Sequence, residues 1–326
     1  MSVADLLRLL ALSLIWGGSF LFMRVAAPEF GPFALVLLRC AGGALALSPF
    51  FLAARHRDVV RRHAWDFFIL GLTASAVPWC LLAYATLSLE AGFTSLLNAT
   101  TPMFTAVIGA LWFGTRIRGP QVFGLGVAFF GVAVLSWDRL SFREGGAGWA
   151  VLAGLGAPIL YGVACNLTSG RLRGLAPEIV AAGNTFFASV VLLPAGLWCW
   201  PDRTPSGAAW ACAAGLAFLC TAVAFLLFFR IIGRCSAMVA SSVTFLIPVS
   251  AIFWGWLALG EPVSVRLLTG MLITFAGTAL AIGLVPLRRG SEEQQAGAGD
   301  DGEEIEQDLE QALRDLGDDA ASDEDA

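Results

Sequence analysis

Apolar runs of similar length follow one another along residues 6–287. The hydrocarbon core of a bilayer, about 30 Å thick, requires roughly 20 mostly apolar residues per helix. Ten runs approach that length, and the connections between them are short. They span residues 6–26, 33–53, 65–87, 92–113, 120–137, 148–169, 178–199, 208–229, 237–258 and 266–287. The pattern therefore predicts an all-α integral membrane protein with ten transmembrane helices.

Composition and charge distribution support a membrane protein with a separate tail. Hydrophobic residues make up 57 % of the chain and charged residues 14 %, against about 25 % charged residues in ordinary soluble domains. Residues 1–289 contain 19 arginines and 10 acidic residues, whereas residues 290–326 contain one arginine and 15 acidic residues. This composition favours a disordered acidic tail over a partner-binding helix.

The second half of the chain repeats the first at an offset of 145 or 146 residues. The matching pairs are Trp16/Tyr161, Pro32/Pro177, Pro49/Pro194, Ser95/Ser241, Pro102/Pro248, Gly114/Gly260, Gly124/Gly270 and Gly131/Gly277. Because five helices is an odd number, the second copy must enter the membrane from the opposite side, as in the inverted repeats of many secondary transporters. We predict a first five-helix repeat at 1–145, a second at 146–289 and an acidic cytoplasmic tail at 290–326.

The arginines predict the orientation. With a cytoplasmic N-terminus, the inside connections carry 13 arginines and the outside connections carry five. Cytoplasmic segments of membrane proteins are enriched in Lys and Arg. We therefore expect both termini in the cytoplasm and a multi-pass protein of the inner (plasma) membrane.

No pattern typical of an enzyme or of a cofactor site is present. The two histidines, His56 and His63, lie among arginines in one connection, and the chain has no lysine for a phosphate-binding loop. A nucleophile elbow is also missing. We expect no catalysis, no cofactor, no metal and no nucleic-acid partner. The seven cysteines are interpreted as small apolar residues that fill the core. Only Cys199 and Cys212 flank one short connection, so a disulfide between them stays an open alternative.

Polar side chains at membrane depth are the candidates for a substrate site, because they must face the bundle or a wet cavity. Repeat symmetry pairs Trp16 with Tyr161 and Arg39 with Asn184, close to the expected twofold axis. The predicted substrate-binding residues are Trp16, Ser19, Arg39, Trp79, Asn98, Tyr161, Asn166 and Asn184. Each also has a structural explanation. An Asn can join two helices, Trp16 can serve packing, and Arg39 can bond carbonyls of a broken helix.

Four stretches resemble the drug/metabolite transporter superfamily, specifically its EamA type with two five-helix repeats. They are "WGGSF" at Trp16, the "LLR" that ends at Arg39, "AYATLSLEAGFTSLLNATTPMFTAVIGALWFG" and "LIPVSAIFWGWLALGEPVSVRLLTGMLITFAGTAL". The resemblance covers residues 6–287 and implies export or exchange of small metabolites, among them amino acids and their derivatives. One departure is that the Gly260-Glu261 pair of the second repeat reads Gly114-Thr115 in the first.

The residues and the resemblance together predict a secondary transporter. We expect it to export amino acids or related carboxylate or zwitterionic compounds by alternating access. The ten runs contain no Asp, Glu or His away from their ends, so we expect a substrate gradient or exchange rather than proton coupling. Two alternatives stay open, a non-transporting membrane scaffold or receptor and a flippase for a lipid-linked substrate. The expected partners are a small-molecule substrate and the lipid bilayer, and the sequence does not decide between a monomer and a homodimer.

Overall fold

The computed structural model describes residues 3–52, 57–115, 117–235 and 242–282, and these residues are predominantly helical. Eleven helices occur in this described part of the chain. They are α1 (Val3–Leu52), α2 (Arg57–Arg62), α3 (Ala64–Ala85), α4 (Ala91–Asn98), α5 (Thr101–Trp112), α6 (Gly119–Ser136), α7 (Gly148–Gly170), α8 (Pro177–Trp198), α9 (207–234), α10 (Val243–Leu259) and α11 (Val265–Ala281). The acidic tail predicted at 290–326 lies outside the described residues.

Six of these helices are long and apolar enough to cross a membrane, namely α1, α3, α6, α7, α8 and α9. The apolar helices α10 and α11 are shorter, with 17 residues each. The prediction of an all-helical membrane protein is therefore confirmed.

The first two predicted spans follow each other without a loop as the two helical limbs of α1, which meet at a kink at Gly31. Gly31 has φ 71° and ψ 159°, a conformation that residues with a side chain rarely adopt. The bend coincides with the turn expected around Pro28 and Pro32. The two limbs of α1 correspond to the predicted runs 6–26 and 33–53.

The predicted run 92–113 consists of two helices, α4 and α5, rather than one. The hydroxyls of Thr100 and Thr101 donate to the carbonyls of Leu97 at 2.6 Å and Asn98 at 2.7 Å. Pro102 lies in the first turn of α5 and has no N–H to bond an α4 carbonyl. These threonine hydroxyls bond carbonyls where the helical ladder is interrupted.

Two helices contain a π-helical segment, Leu72–Ala76 in α3 and Gly215–Val223 in α9. Each lies in the third predicted span of its half of the chain. In a π-helix the N–H groups bond carbonyls five residues earlier, and such segments occur frequently at functional sites. The sequence pattern did not predict either segment.

Helix α1 is the central element of the fold. It packs against α8, α9 and α10 and also contacts α3 and α4. Its fully buried side chains include Leu12, Met23, Phe30 and Leu35. All seven cysteines are free, so Cys199 and Cys212 form no disulfide.

Helices α6 and α11 pack closely through glycines. A methyl group on Gly131 would lie 2.6 Å from the backbone nitrogen of Thr274, and one on Gly270 would lie 3.0 Å from the Cβ of Leu135. Gly124 and Gly277 are likewise in close contact with the facing helix. These four glycines therefore allow the two helices to pack closely.

We expect Gly131→Ala to lower the melting temperature of the purified protein in detergent, because the added methyl group must push α11 away. Overpacking of this kind costs about 1–3 kcal/mol. Gly126→Ala is the matched control, since no heavy atom of a packed neighbour lies within 4 Å of its added methyl group. Equal melting temperatures for the two variants would contradict the close contact.

Candidate functional site

A positively charged side chain lies in the centre of the bundle. Arg39, on the second limb of α1, is only 5 % exposed. Its guanidinium carbon lies 3.7 Å from the centre of the Trp79 ring in α3, a cation–π arrangement. Its Nε donates a hydrogen bond to Oγ1 of Thr221 in α9 at 3.2 Å. Arg39 thereby joins three helices.

The hydrogen-bond partner of Arg39 belongs to the π-helical segment of α9. Thr221 is fully buried, and its hydroxyl donates to the carbonyl of Leu216, five residues earlier, at 2.8 Å. The hydroxyl proton is thus used by the backbone, and the oxygen lone pairs remain for the Arg39 N–H. The π-helical segment therefore orients the guanidinium through Thr221.

Arg39 has no acidic partner within the described residues. None of the ion pairs found there, all with N to O distances up to 4.0 Å, includes Arg39. In the same part of the chain, Nε is the only Arg39 nitrogen that forms a hydrogen bond. Removing a charge from water costs on the order of several kcal/mol even after protein relaxation. The Thr221 bond and the Trp79 ring offset part of this cost and leave the terminal nitrogens without partners.

Trp16 reaches the same π-helical segment from the first limb of α1. Its indole N–H donates to the carbonyl of Cys220 at 3.2 Å, and its ring contacts Phe225 and Phe228 at centroid distances of 6.4 and 5.3 Å. The Cys220 thiol lies 3.2 Å from the carbonyl of Ile15. Both limbs of α1 are therefore hydrogen-bonded to adjacent residues of this segment.

Tyr161 of α7 completes the group. It packs against the buried apolar cluster that contains Trp79, and it lies near Arg39. We call Trp16, Arg39, Trp79, Tyr161 and Thr221 the Arg39 cluster. It draws on α1, α3, α7 and α9, and so on both halves of the chain.

Two predicted site residues bond backbone carbonyls. The Ser19 hydroxyl donates to the carbonyl of Trp16 within its own helix at 2.6 Å. The Asn166 amide donates to the carbonyls of Thr105 at 3.2 Å and Gly162 at 2.8 Å, and thereby joins α7 to α5. Within the described ranges, Asn166 forms no hydrogen bond with the Arg39 cluster. Ser19 forms one, to the carbonyl of Trp16.

The remaining two predicted residues, Asn98 and Asn184, each have a buried side-chain oxygen without a hydrogen-bond partner among the described residues. The Oγ of Ser75, in the π-helical segment of α3, shares this property. A buried acceptor without a partner carries a desolvation cost of about 1–3 kcal/mol. Asn184 precedes Thr185 in α8. A methyl group added to Gly43 would lie within 4 Å of the Cγ2 atoms of both Thr185 and Thr221, so α8 passes close to Thr221.

Sequence reasoning missed Thr221 and Ser75. Both are single hydroxyl residues within apolar runs, which is the weakest polar signal in a membrane helix. Their location in π-helical segments, one in each half, is visible only in the structure. In the described ranges, no group of three or more His, Cys, Asp or Glu side chains is placed to hold a metal ion.

Comparison with known proteins identifies the family of the chain. The profile of the EamA-like transporter family matches residues 4–137 and again residues 148–283. The chain belongs to the EamA-like transporter family. It is therefore a multi-pass membrane transporter and not an enzyme, and the resemblance of the quoted stretches to this family is confirmed.

Individual relatives are distant but extend over most of the transporter. The chain is 24 % identical over 281 residues to the "Uncharacterized transporter YoaV" of Bacillus subtilis, covering 84 % of this chain and 95 % of that protein. It is 28 % identical over 270 residues to the "Probable terminal-alkyne amino-acid exporter" of Streptantibioticus cattleyicolor, with coverages of 81 % and 89 %.

A shorter match and a structural match add to these. The "Probable amino-acid metabolite efflux pump" of Escherichia coli is 31 % identical over 142 residues, 43 % of this chain and 46 % of that protein. One crystal structure aligns with a TM-score of 0.60 at 20 % identity, covering 88 % of this transporter and 100 % of the solved chain. The structural match supports the fold alone.

We expect Thr221→Val to destabilise the transporter by about 1–2 kcal/mol. The variant keeps the shape of the side chain but removes the hydroxyl that bonds the Arg39 Nε and the Leu216 carbonyl. Thermal unfolding in detergent measures the effect, and Thr221→Ser, which restores the hydroxyl, should stay near the wild type. A Thr221→Val protein as stable as Thr221→Ser would show that this hydrogen bond does not hold Arg39.

Proposed function

We propose that this transporter moves a small organic molecule that carries a carboxylate, and that Arg39 binds that carboxylate. The observation that carries the proposal is a buried guanidinium without an acidic partner in the described part of the chain. Charged groups inside a membrane protein are costly and mark substrate pathways. An anionic ligand that neutralises Arg39 would recover part of that cost.

The geometry of Arg39 suits a carboxylate. Thr221 bonds Nε and the Trp79 ring covers one face of the guanidinium. Both terminal nitrogens are left for a ligand, and arginine binds carboxylates through such paired N–H groups. Trp16 and Tyr161 then serve as the aromatic contacts of the substrate. The unpartnered acceptors of Ser75 and Asn184 are further candidates for its polar groups.

The proposed mechanism is alternating access between two inverted five-helix repeats, 1–145 and 146–289. Two separate profile matches, at 4–137 and 148–283, support this division. The ten-span count rests on the apolar runs. Seven of them lie in the six long apolar helices, because α1 holds two runs, and α10 and α11 are shorter. In such transporters the substrate binds near the middle of the membrane, at the interface of the repeats. The Arg39 cluster takes its side chains from both halves.

We further propose that the transporter resides in the plasma membrane with both termini in the cytoplasm, and that it exports amino acids or related zwitterions. The names of two relatives, an amino-acid exporter and an amino-acid metabolite efflux pump, support this substrate class. Acidic residues of the spans, such as Glu90 and Glu178, lie at helix starts. Their position supports movement down the substrate gradient or by exchange.

Metabolite profiling of cells and medium, with the gene deleted and overexpressed, tests the function. Overexpression should raise the extracellular level of compounds that carry a carboxylate. Arg39→Gln should reduce this increase at least tenfold, because the amide has no charge to offer the carboxylate. Arg39→Lys should recover only part of the increase, since an ammonium group cannot form the paired contact.

The matched control is Trp198→Ala, which removes an aromatic side chain that is 91 % exposed at the end of α8. This variant should export like the wild type at equal expression. An Arg39→Gln protein that is folded and exports normally would refute the assignment. So would a set of exported compounds that lack a carboxylate.

The topology gives a separate prediction. A fluorescent protein fused to the C-terminus should fold and fluoresce, as expected in the cytoplasm. A cysteine at the exposed Phe142 should react with a membrane-impermeant thiol reagent added to intact cells. A C-terminus that is accessible from outside would contradict the proposed orientation.

A further inference from the structure

A carboxylate outside the Arg39 cluster connects the end of α10 to the start of α4. Both oxygens of Glu261 accept from the backbone N–H of Ala91, at 3.1 and 2.9 Å. The same carboxylate lies 3.6 Å from Nε of Arg24 on α1. Arg24 in turn donates to the carbonyl of Thr86, at the end of α3, at 2.5 Å. One side chain thus connects elements of both halves of the chain.

The first half contains the same backbone loop without the acidic side chain. Gly260 has φ 65°, and the N–H of Glu261 donates to the carbonyl of Gly255 at 3.1 Å. At the repeat-equivalent positions, Gly114 has φ 70°, and the N–H of Thr115 donates to the carbonyl of Gly109 at 3.0 Å. Threonine is uncharged, so it cannot form the ion pair that Glu261 makes with an arginine.

These two loops lie at opposite ends of the bundle. Helix α4 begins beside Glu261. Helices α4 and α5 together lead from there to Thr115 over 22 residues, from Ala91 to Trp112. At about 1.5 Å per helical residue this distance is roughly 30 Å, comparable to the thickness of the hydrocarbon core. The two equivalent loops therefore differ in charge although their backbone conformations match.

We propose that Glu261, with Arg24, Ala91 and Thr86, forms a latch that holds its end of the transporter closed, and that Thr115 leaves the opposite end without an equivalent. The inference rests on the alternating access of the proposed function and extends it. A transporter with a latch at one end only favours one conformation when it is empty. In the proposed topology the closed end faces outside, so the empty transporter is open to cytoplasmic substrate.

The surroundings of Glu261 fit a contact that forms and breaks. Its side chain is 13 % exposed. Burial raises the pKa of the Glu261 carboxyl, whereas the Ala91 hydrogen bond and the Arg24 charge act in the opposite direction. Having lost most of its hydration, the carboxylate depends on these two partners, and removing either should release it to water. The adjacent Glu90 has its own partner, Arg139, at 2.6 Å.

A further ion pair at this end of the bundle provides a control. Arg266 pairs with Asp138, and both side chains are well exposed, at 46 % and 61 %. Exposed ion pairs contribute little to stability. This pair also joins the ends of α6 and α11, which already pack through their glycines. Its loss should therefore leave the latch unaffected.

Double electron–electron resonance without substrate tests the latch. Spin labels are placed at Leu87 and Val263, exposed residues next to Thr86 and Glu261. The background is a cysteine-free transporter in nanodiscs whose thermal unfolding matches that of the wild type. We expect the unaltered latch to give mainly the short distance. Glu261→Gln, which keeps an acceptor but removes the charge, should raise the ratio of long to short distances roughly tenfold.

Arg24→Gln should produce the same shift, because it removes the other charge. Thr115→Ala, at the repeat-equivalent position, and Arg266→Gln should leave the distance distribution unchanged. The latch is refuted if Glu261→Gln and Arg24→Gln, both folded by thermal unfolding, retain the short distance. It is also refuted if Arg266→Gln gives an equal shift. Because no substrate is present, the result is independent of whether Arg39 binds a carboxylate.

Discussion

The structure depends on one unbalanced charge, the guanidinium of Arg39, which is buried inside the helical bundle. Burial of a charge is tolerated only when other groups stabilise it. Here the Trp79 ring and the Thr221 hydroxyl do so from two further helices. Neither neutralises the charge. In our proposal an anionic substrate binds this charge, and part of its affinity comes from the cost already present in the empty protein.

The π-helical segment of α9 connects this charge to the rest of the fold. Arg39 bonds Thr221, and Trp16 bonds the adjacent Cys220 carbonyl. The two limbs of α1 therefore contact the same short segment from either side of the bend at Gly31. A substrate that draws Arg39 away from Thr221 would change the contacts of a segment with irregular hydrogen bonding. Binding at the centre can in this way alter helix packing toward the ends.

The sequence predicted the helical membrane fold and the family, because apolar periodicity and the quoted stretches extend over most of the chain. It also predicted Trp16, Arg39, Trp79 and Tyr161 as site residues, and the structure brings these four together. Their assignment to substrate binding stays a prediction. Ser19 and Asn166 bond backbone carbonyls, as a polar residue in an apolar run can, and their assignment to substrate binding also stays a prediction. The π-helical segments and the break before Thr101 depend on tertiary packing and on local backbone hydrogen bonds. The pattern of apolar runs contains no information on either.

The most direct test of the central claim is a cryo-electron microscopy structure of the transporter with an exported carboxylate bound. The account predicts the carboxylate oxygens within hydrogen-bond distance, about 2.7–2.9 Å, of the terminal nitrogens of Arg39, with Trp16 or Tyr161 against the rest of the molecule. A substrate bound elsewhere, with the terminal nitrogens of Arg39 still unoccupied, would contradict the claim that the buried charge is the substrate anchor.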